Sequence, residues 1–211
     1  MFAEQTWVAR TIWALLFIFA AVSLIVGRWY PAFVALATLG LSLTPLFLSR
    51  WANVVIPPSF IAAATLFAGS TLLLGEAFDF YDRFWWWDIV MHGTGAVGVG
   101  LIGFVLIFIM FQGDKYAAPP YAVALFAFCF AMAVGTMWEI FEFTMDSLFG
   151  FNTQKSGLQD TMGDLIVDGT GAIFGAGAGW FYLKSREHGG LTGVIDEFVR
   201  HNPRLFQRWR K

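Results

Sequence analysis

The sequence predicts an all-α polytopic membrane protein, a bundle of six transmembrane helices with an amphipathic C-terminal segment. Three observations predict it. Of the 211 residues 58% are hydrophobic and only 13% charged, far from the balance of a soluble domain. Six apolar windows, at residues 8–27, 32–48, 59–75, 89–111, 121–143 and 162–183, are long enough to cross a bilayer. Between them lie turn-forming or polar stretches, among them Gly27 to Pro31, Arg50 through Pro57-Pro58, and Gly113 to Pro120.

The first window resembles a secretory signal superficially, since Arg10 precedes it and Ala20 and Ala21 lie within its end. At ~1.5 Å per residue it is long enough to span, and an n-region with Glu4 and a single basic residue is poor, so it reads as a retained helix. Pro45 within the second window predicts a kink. Trp85, Trp86 and Trp87 read as an interfacial aromatic belt. Cys129 lies in an apolar run and is expected to be buried and inert; a single cysteine excludes a disulfide framework or a cysteine metal site.

An even number of spans puts both termini on one side. Arg10, Arg50, Lys115 and the seven Lys and Arg of the last 28 residues then face Arg28, Arg83 and Lys155, ten basic residues against three. The positive-inside rule places both termini in the cytoplasm of a bacterial inner membrane. The expected division is a transmembrane domain over 1–184 and a basic amphipathic cytoplasmic tail over 185–211. In the tail Val194, Ile195, Phe198 and Val199, then Leu205, Phe206 and Trp209, alternate with Arg200, Arg204, Arg208 and Arg210. That pattern, broken at Pro203, suits a helix lying on anionic lipid; contact with nucleic acid is not expected.

The acidic residues carry the functional signal. Ten of the fifteen fall within Glu76–Asp88, Glu139–Asp146 and Asp160–Asp168, and each stretch adjoins an apolar window. With alternating helix direction all three stretches share the non-cytoplasmic face. Asp88 and His92 are spaced i, i+4; Glu139, Glu142 and Asp146 run i, i+3, i+7; Asp160, Asp164 and Asp168 run i, i+4, i+8. Each set forms one helical stripe. Counting ~1.5 Å per residue from Lys184 places Asp168 ~24 Å up a ~30 Å core, about 6 Å below the outer boundary, so the expected site is a pocket opening outward at headgroup level.

Two carboxylates ~5 Å apart repel by ~3 kcal/mol at an effective dielectric of 20, and only Arg83 and Lys155 are near in sequence. Protons or cations must therefore neutralise the cluster. Oxygen donors with one imidazole suit Mg²⁺, Mn²⁺, Fe²⁺ or Zn²⁺. The expected ligands are Asp88, His92, Glu139, Glu142, Asp164 and Asp168, with Asp146, Asp160 and Gln154 behind them or orienting a substrate. The blander account, acids complementing helix dipoles, covers Asp88 and Asp160 and extends to Asp164. It fails for Glu139, Glu142 and Asp146, which sit at a C-terminal end. Glycines at 93, 95, 98, 100 and 103, and at 171, 175 and 179, predict close approach of the fourth and sixth helices. Gly93 to Gly98 also matches G-x-G-x-x-G, but inside an apolar span it lacks the strand-to-helix turn a dinucleotide site needs.

The stretches GEAFDFYDRFWWWDIVMHGTG and WEIFEFTMDSLFGFNTQKSGLQDTMGDLIVDGTGA, with the spacing between them, resemble the YjdF family of predicted bacterial inner-membrane proteins over roughly residues 70–180. More distantly, Asp88 with His92, Glu139, and Asp164 with Gly171 are similar to the VanZ-like pattern, which implies envelope chemistry. Glu142 stands where that pattern has an amide and Asp168 where it has an asparagine, so this pocket is the more acidic. The function expected is binding of, or action on, a lipid or lipid-linked envelope headgroup through a divalent metal. A proton- or cation-coupled transporter and a non-catalytic membrane assembly protein are the alternatives; the sequence fixes no reaction type.

Overall fold

The computed structural model describes residues 4–112, 118–185 and 189–206. Lys115, Arg186, His188, Arg208, Trp209, Arg210 and Lys211, on which parts of the sequence reading fell, lie outside the described residues. Helices are α1 (Trp7–Ile25), α2 (Trp29–Trp51), α3 (Pro58–Ala68), the short α4 (Phe80–Arg83), α5 (Trp87–Gln112), α6 (Pro120–Phe149), α7 (Leu158–Lys184) and α8 (Leu191–His201). A π-helical segment, Gly69–Ala77, prolongs α3. The chain divides into two units, Met1–Trp87 and Asp88–Lys211.

In the first unit Thr6 caps α1, its hydroxyl accepting from the Ala9 amide at 3.2 Å, which satisfies one of the unpaired N–H groups every helix start carries. Ala9, Trp13, Leu16 and Ala20 form the buried stripe of α1 and pack with Ala35, Leu46 and Ile61. Trp13 Nε1 donates to Ser42 Oγ at 3.1 Å, so the one polar atom of that buried ring is satisfied. Pro45 lies inside α2 as the sequence indicates. Three acids of the first acidic stretch stay in this unit: Tyr30 donates to Glu76 at 3.5 Å, Asp79 pairs with Arg83 at 3.7 Å, and Asp82 lies in α4. They do not share the second unit with the other acids.

The second unit is assembled around a glycine seam. A methyl group at Gly171 would strike the Gly93 carbonyl and Ala96, one at Gly175 the Val97 carbonyl and the Gly100 Cα, and one at Gly179 the Phe104 ring. Backbones of α5 and α7 therefore touch at Gly93 and Gly100, whereas Gly98 meets nothing within 4 Å and Gly103 faces the Phe130 ring of α6. Along α7 the line Asp160, Asp164, Asp168, Gly171, Gly175, Gly179 is one continuous face, acidic toward its N-terminal end and bare toward its C-terminal end.

Among the described residues five helices are long and apolar enough to cross a membrane: Trp7–Ile25, Trp29–Trp51, Pro58–Ala77, Trp87–Phe111 and Pro120–Phe149. Against the six expected, α7 has the length, 27 residues, but three aspartates and a run of glycines dilute its apolarity. The fifth window also extends further than its hydropathy indicates, since α6 runs through Glu142 and Asp146 to Phe149 and stops at Gly150, whose φ of 70° closes the helix. Cys129 is exposed rather than buried, among Leu125, Phe126 and Phe130, also exposed; the buried stripe of α6 is Val123, Ala127 and Ala131, and Cys129 lies off it.

The tail reading is revised in one respect. The apolar face of α8 meets protein: Ile195, Phe198 and Val199 are buried, and Phe206, fully buried, stacks on Phe108 with centroids 5.3 Å apart and meets Phe198 edge-on at 6.2 Å. The chain turns after His201, where Asn202 Nδ2 donates to the Phe198 carbonyl at 2.9 Å. Phe206→Ala removes a ring whose loss from a core costs about 3 kcal/mol, and is expected to raise the rate of tryptic cleavage at Arg200 and Arg204 by up to about a hundredfold.

Candidate metal centre

Asp88 and His92 stand one turn apart at the start of α5, Glu139 and Glu142 one turn apart late in α6, and Asp164 and Asp168 one turn apart in α7. One oxygen each from Asp88 and Asp164 and one ring nitrogen of His92 lie within 4.8 Å of one another. His92 Nε2 is 3.7 Å from Asp88 Oδ1, while Nδ1 is 3.2 Å from Asp168 Oδ1. Asp164 and Asp168 are buried, at 6% and 4% exposure, and Glu139 is buried at 2%. The seam sets this geometry: the contact of Gly171 with Gly93 lies three residues past Asp168 and one past His92.

Glu139 is the least expected of these groups. Neither of its oxygens has a hydrogen-bond partner among the described residues. The Thr161 hydroxyl stands close by but completes no bond to it, and that hydroxyl accepts from Gln154 Nε2 at 2.5 Å. An ionised carboxylate buried without partners is disfavoured by several kcal/mol, so Glu139 calls for a cation, a proton or water. Glu142 is half-buried and accepts from Trp138 Nε1 at 3.1 Å. Asp160, half-buried, acts electrostatically on Asp88, Glu139 and Asp164, and Lys155 acts on Asp88.

Gln154 lies behind Glu139 through Thr161, while Asp146 is engaged at the end of α6. Asp146 Oδ1 accepts from the Thr153 amide at 2.8 Å and its hydroxyl at 2.7 Å, and Oδ2 accepts from the Gln154 amide at 2.9 Å. Both oxygens thus pin the loop 150–157 to the end of α6, with Thr153 Oγ1 also donating to the Glu142 carbonyl. Asp146→Ala is expected to speed tryptic cleavage at Lys155 several-fold while metal affinity stays at the wild-type value; a fall in affinity would place Asp146 in the site.

Two contributors escaped the sequence reading. Trp138 was read as part of an apolar run, yet it holds Glu142. Gly135, where a methyl group would run into the Asp168 carboxylate, lies four residues before Glu139 on the same stripe, which is the signal that could have found it.

A partly buried cluster of acids around one imidazole, within helices of which several are long and apolar enough to cross a membrane, defines a multi-pass helical membrane protein with a candidate cation site. The chain belongs to the family described as Predicted membrane protein (DUF2238), which matches residues 6–185, the family to which the YjdF likeness pointed. An uncharacterized protein of Thermotoga maritima is 34% identical over 97 residues, covering 46% of this chain and 48% of that protein. The chain thus spans about half the length of this relative. No solved structure matches the chain.

Proposed function

We propose that the protein binds one divalent cation between Asp88, His92 and Asp164, and through it holds the phosphate of a lipid or lipid-linked envelope headgroup. The observation that carries the proposal is the set of three donors within 4.8 Å of one another. A Zn²⁺ or Mg²⁺ ion with bonds of ~2.0–2.2 Å holds its ligands about 3–4 Å apart, so a contraction of roughly 1 Å completes the cage. Two carboxylates match the ion's charge, and the bare oxygens of Glu139 lie ready as a further ligand or as the acceptor of a proton from metal-bound water. Glu142 and Asp160 keep the surroundings negative. A bound cation also leaves open coordination for a phosphate oxygen, the group common to membrane headgroups.

In this proposal α7 is a sixth crossing, made possible because Asp164 and Asp168 are buried and Gly171, Gly175 and Gly179 lie against α5. Both termini then face the cytoplasm of a bacterial inner membrane, with ten basic residues on that side against three, and the pocket faces outward. The distant VanZ likeness supports envelope chemistry. A transporter needs a polar path beyond the site, whereas past Asp168 the α5–α7 seam is backbone against backbone at Gly171 and Gly175.

The test is elemental analysis of detergent-purified protein, followed by equilibrium binding of glycerol phosphate with and without added Mn²⁺ or Zn²⁺. Stoichiometric metal and metal-dependent phosphate binding are expected. Metal without phosphate binding would remove the headgroup role, and the absence of both would leave the assembly-protein alternative.

A further inference from the structure

We propose that Asp168 is a positioning residue rather than a ligand: it holds His92 by Nδ1, leaves Nε2 as the nitrogen that meets the cation, and depends on Gly135 for the space to do so. This rests on the metal-binding reading above and assigns separate duties to acids that the sequence groups together.

The geometry accounts for both oxygens of Asp168. Oδ1 lies 3.2 Å from His92 Nδ1. A carboxylate in that bond is the acceptor, which assigns the proton to Nδ1 in this proposal. Oδ2 lies over the bare Cα of Gly135, where a methyl group would strike it and would stand 3.0 Å from Cγ and 3.4 Å from Cβ. With 4% exposure the side chain is enclosed between α5 and α6. Asp168 is not among the three residues, Asp88, His92 and Asp164, whose donor atoms lie within 4.8 Å of one another.

Nε2 does face that cage, 3.7 Å from Asp88 Oδ1. A histidine with its Nδ1–H given to a carboxylate presents the Nε2 lone pair, with its ring plane fixed and its basicity raised. Such partners commonly change metal affinity 10- to 100-fold when removed. Gly135 then has a chemical reason to be glycine: any side chain there displaces the carboxylate that aims the imidazole, and the three atoms nearest to a would-be Cβ all belong to Asp168.

The experiment uses the full chain in detergent, loaded with Zn²⁺, as wild type, Asp168→Asn, Asp168→Ala and Gly135→Ala. Melting of each metal-free form is measured first, so that a folding defect is seen separately. Asp168→Ala should bind one ion per chain with about 10- to 100-fold lower affinity. Asp168→Asn, whose amide oxygen can still accept from Nδ1–H, should recover part of the loss. Gly135→Ala should lose affinity with Asp168 intact. In the zinc-loaded wild type, ¹⁵N spectra of labelled histidine should show metal on Nε2 and a proton on Nδ1 of His92, and Asp168→Ala should abolish that signature.

Affinities of Asp168→Ala and Gly135→Ala within twofold of wild type would overturn the proposal. So would zinc on Nδ1, or a bound ion lost as completely in Asp168→Asn as in Asp168→Ala, which would make Asp168 a ligand. Wild-type protein that takes up no zinc would instead bring down the metal site as a whole, and the positioning role with it.

Discussion

His92→Ala and Asp164→Asn are each expected to lower affinity for Zn²⁺ or Mn²⁺ by on the order of a hundredfold or more, with helix content unchanged. Four ligands of a structural zinc site share about 10–16 kcal/mol, so one ligand accounts for roughly 3 kcal/mol, or two decades of affinity. The geometry makes both residues indispensable: with either removed, fewer than three donors remain within 4.8 Å of one another in the Asp88, His92, Asp164 group. Asp164→Asn is nearly isosteric, which keeps packing intact and isolates the charge. Removal of one negative charge relieves the cost of burying it and the repulsion from Asp88, Glu139 and Asp160, against a lost attraction to His92, so the metal-free variant should melt no lower than metal-free wild type. Isothermal titration of metal into apo protein measures the affinity. Unchanged affinity in both variants would place the ion, if any, elsewhere.

Gly175→Val is expected to abolish the folded second unit, whereas Gly177→Val on the same helix should be nearly silent. At Gly175 even a methyl group would stand 3.0 Å from the Gly100 Cα and 3.2 Å from the Leu101 amide nitrogen. These are backbone atoms of a continuous helix and cannot swing aside as a side chain does. Overpacking of a tight core costs about 1–3 kcal/mol or more, and the helix propensity gained over glycine, at most about 1 kcal/mol, is too small to offset it. Gly177 has nothing within 4 Å of its would-be Cβ, so the same substitution there meets open space. Detergent melting followed by size-exclusion profiles compares the two. Equal stability of both variants would mean that the α5–α7 contact does not hold the unit together. Because that contact sets His92 beside Asp168, Gly175→Val should also eliminate metal uptake.

The parts legible in the sequence are those governed by local periodicity. Apolar windows located the long helices, and i, i+4 spacing put Asp88 with His92 and Asp164 with Asp168. The glycines of α5 and α7 announced a close approach, because a helix face without side chains has little other use among apolar residues. Relations between helices were less legible. That His92 Nδ1 meets Asp168 while Nε2 meets Asp88 depends on the register between α5 and α7, which no single helix encodes. Gly135 looked like any small residue in α6. The stripe puts Asp146 beside Glu139 and Glu142 but does not show that its oxygens hold Thr153 and Gln154. The apolar face of α8 has the same pattern whether it meets lipid or protein, and Phe206 against Phe108 decides for protein. For α7 the same residues that build the site, Asp160, Asp164 and Asp168, are those that lower its apolarity below that of the other long helices.

The most direct test of a cation held by the acids and imidazole of α5 and α7 is X-ray absorption at the zinc edge on the zinc-loaded full chain, compared with His92→Ala. The account predicts one ion per chain in a shell of oxygen and nitrogen at about 2.0–2.2 Å, with an imidazole signature that disappears in His92→Ala. A shell without imidazole in the wild type, or zinc uptake no greater than that of Asp164→Asn, would contradict it.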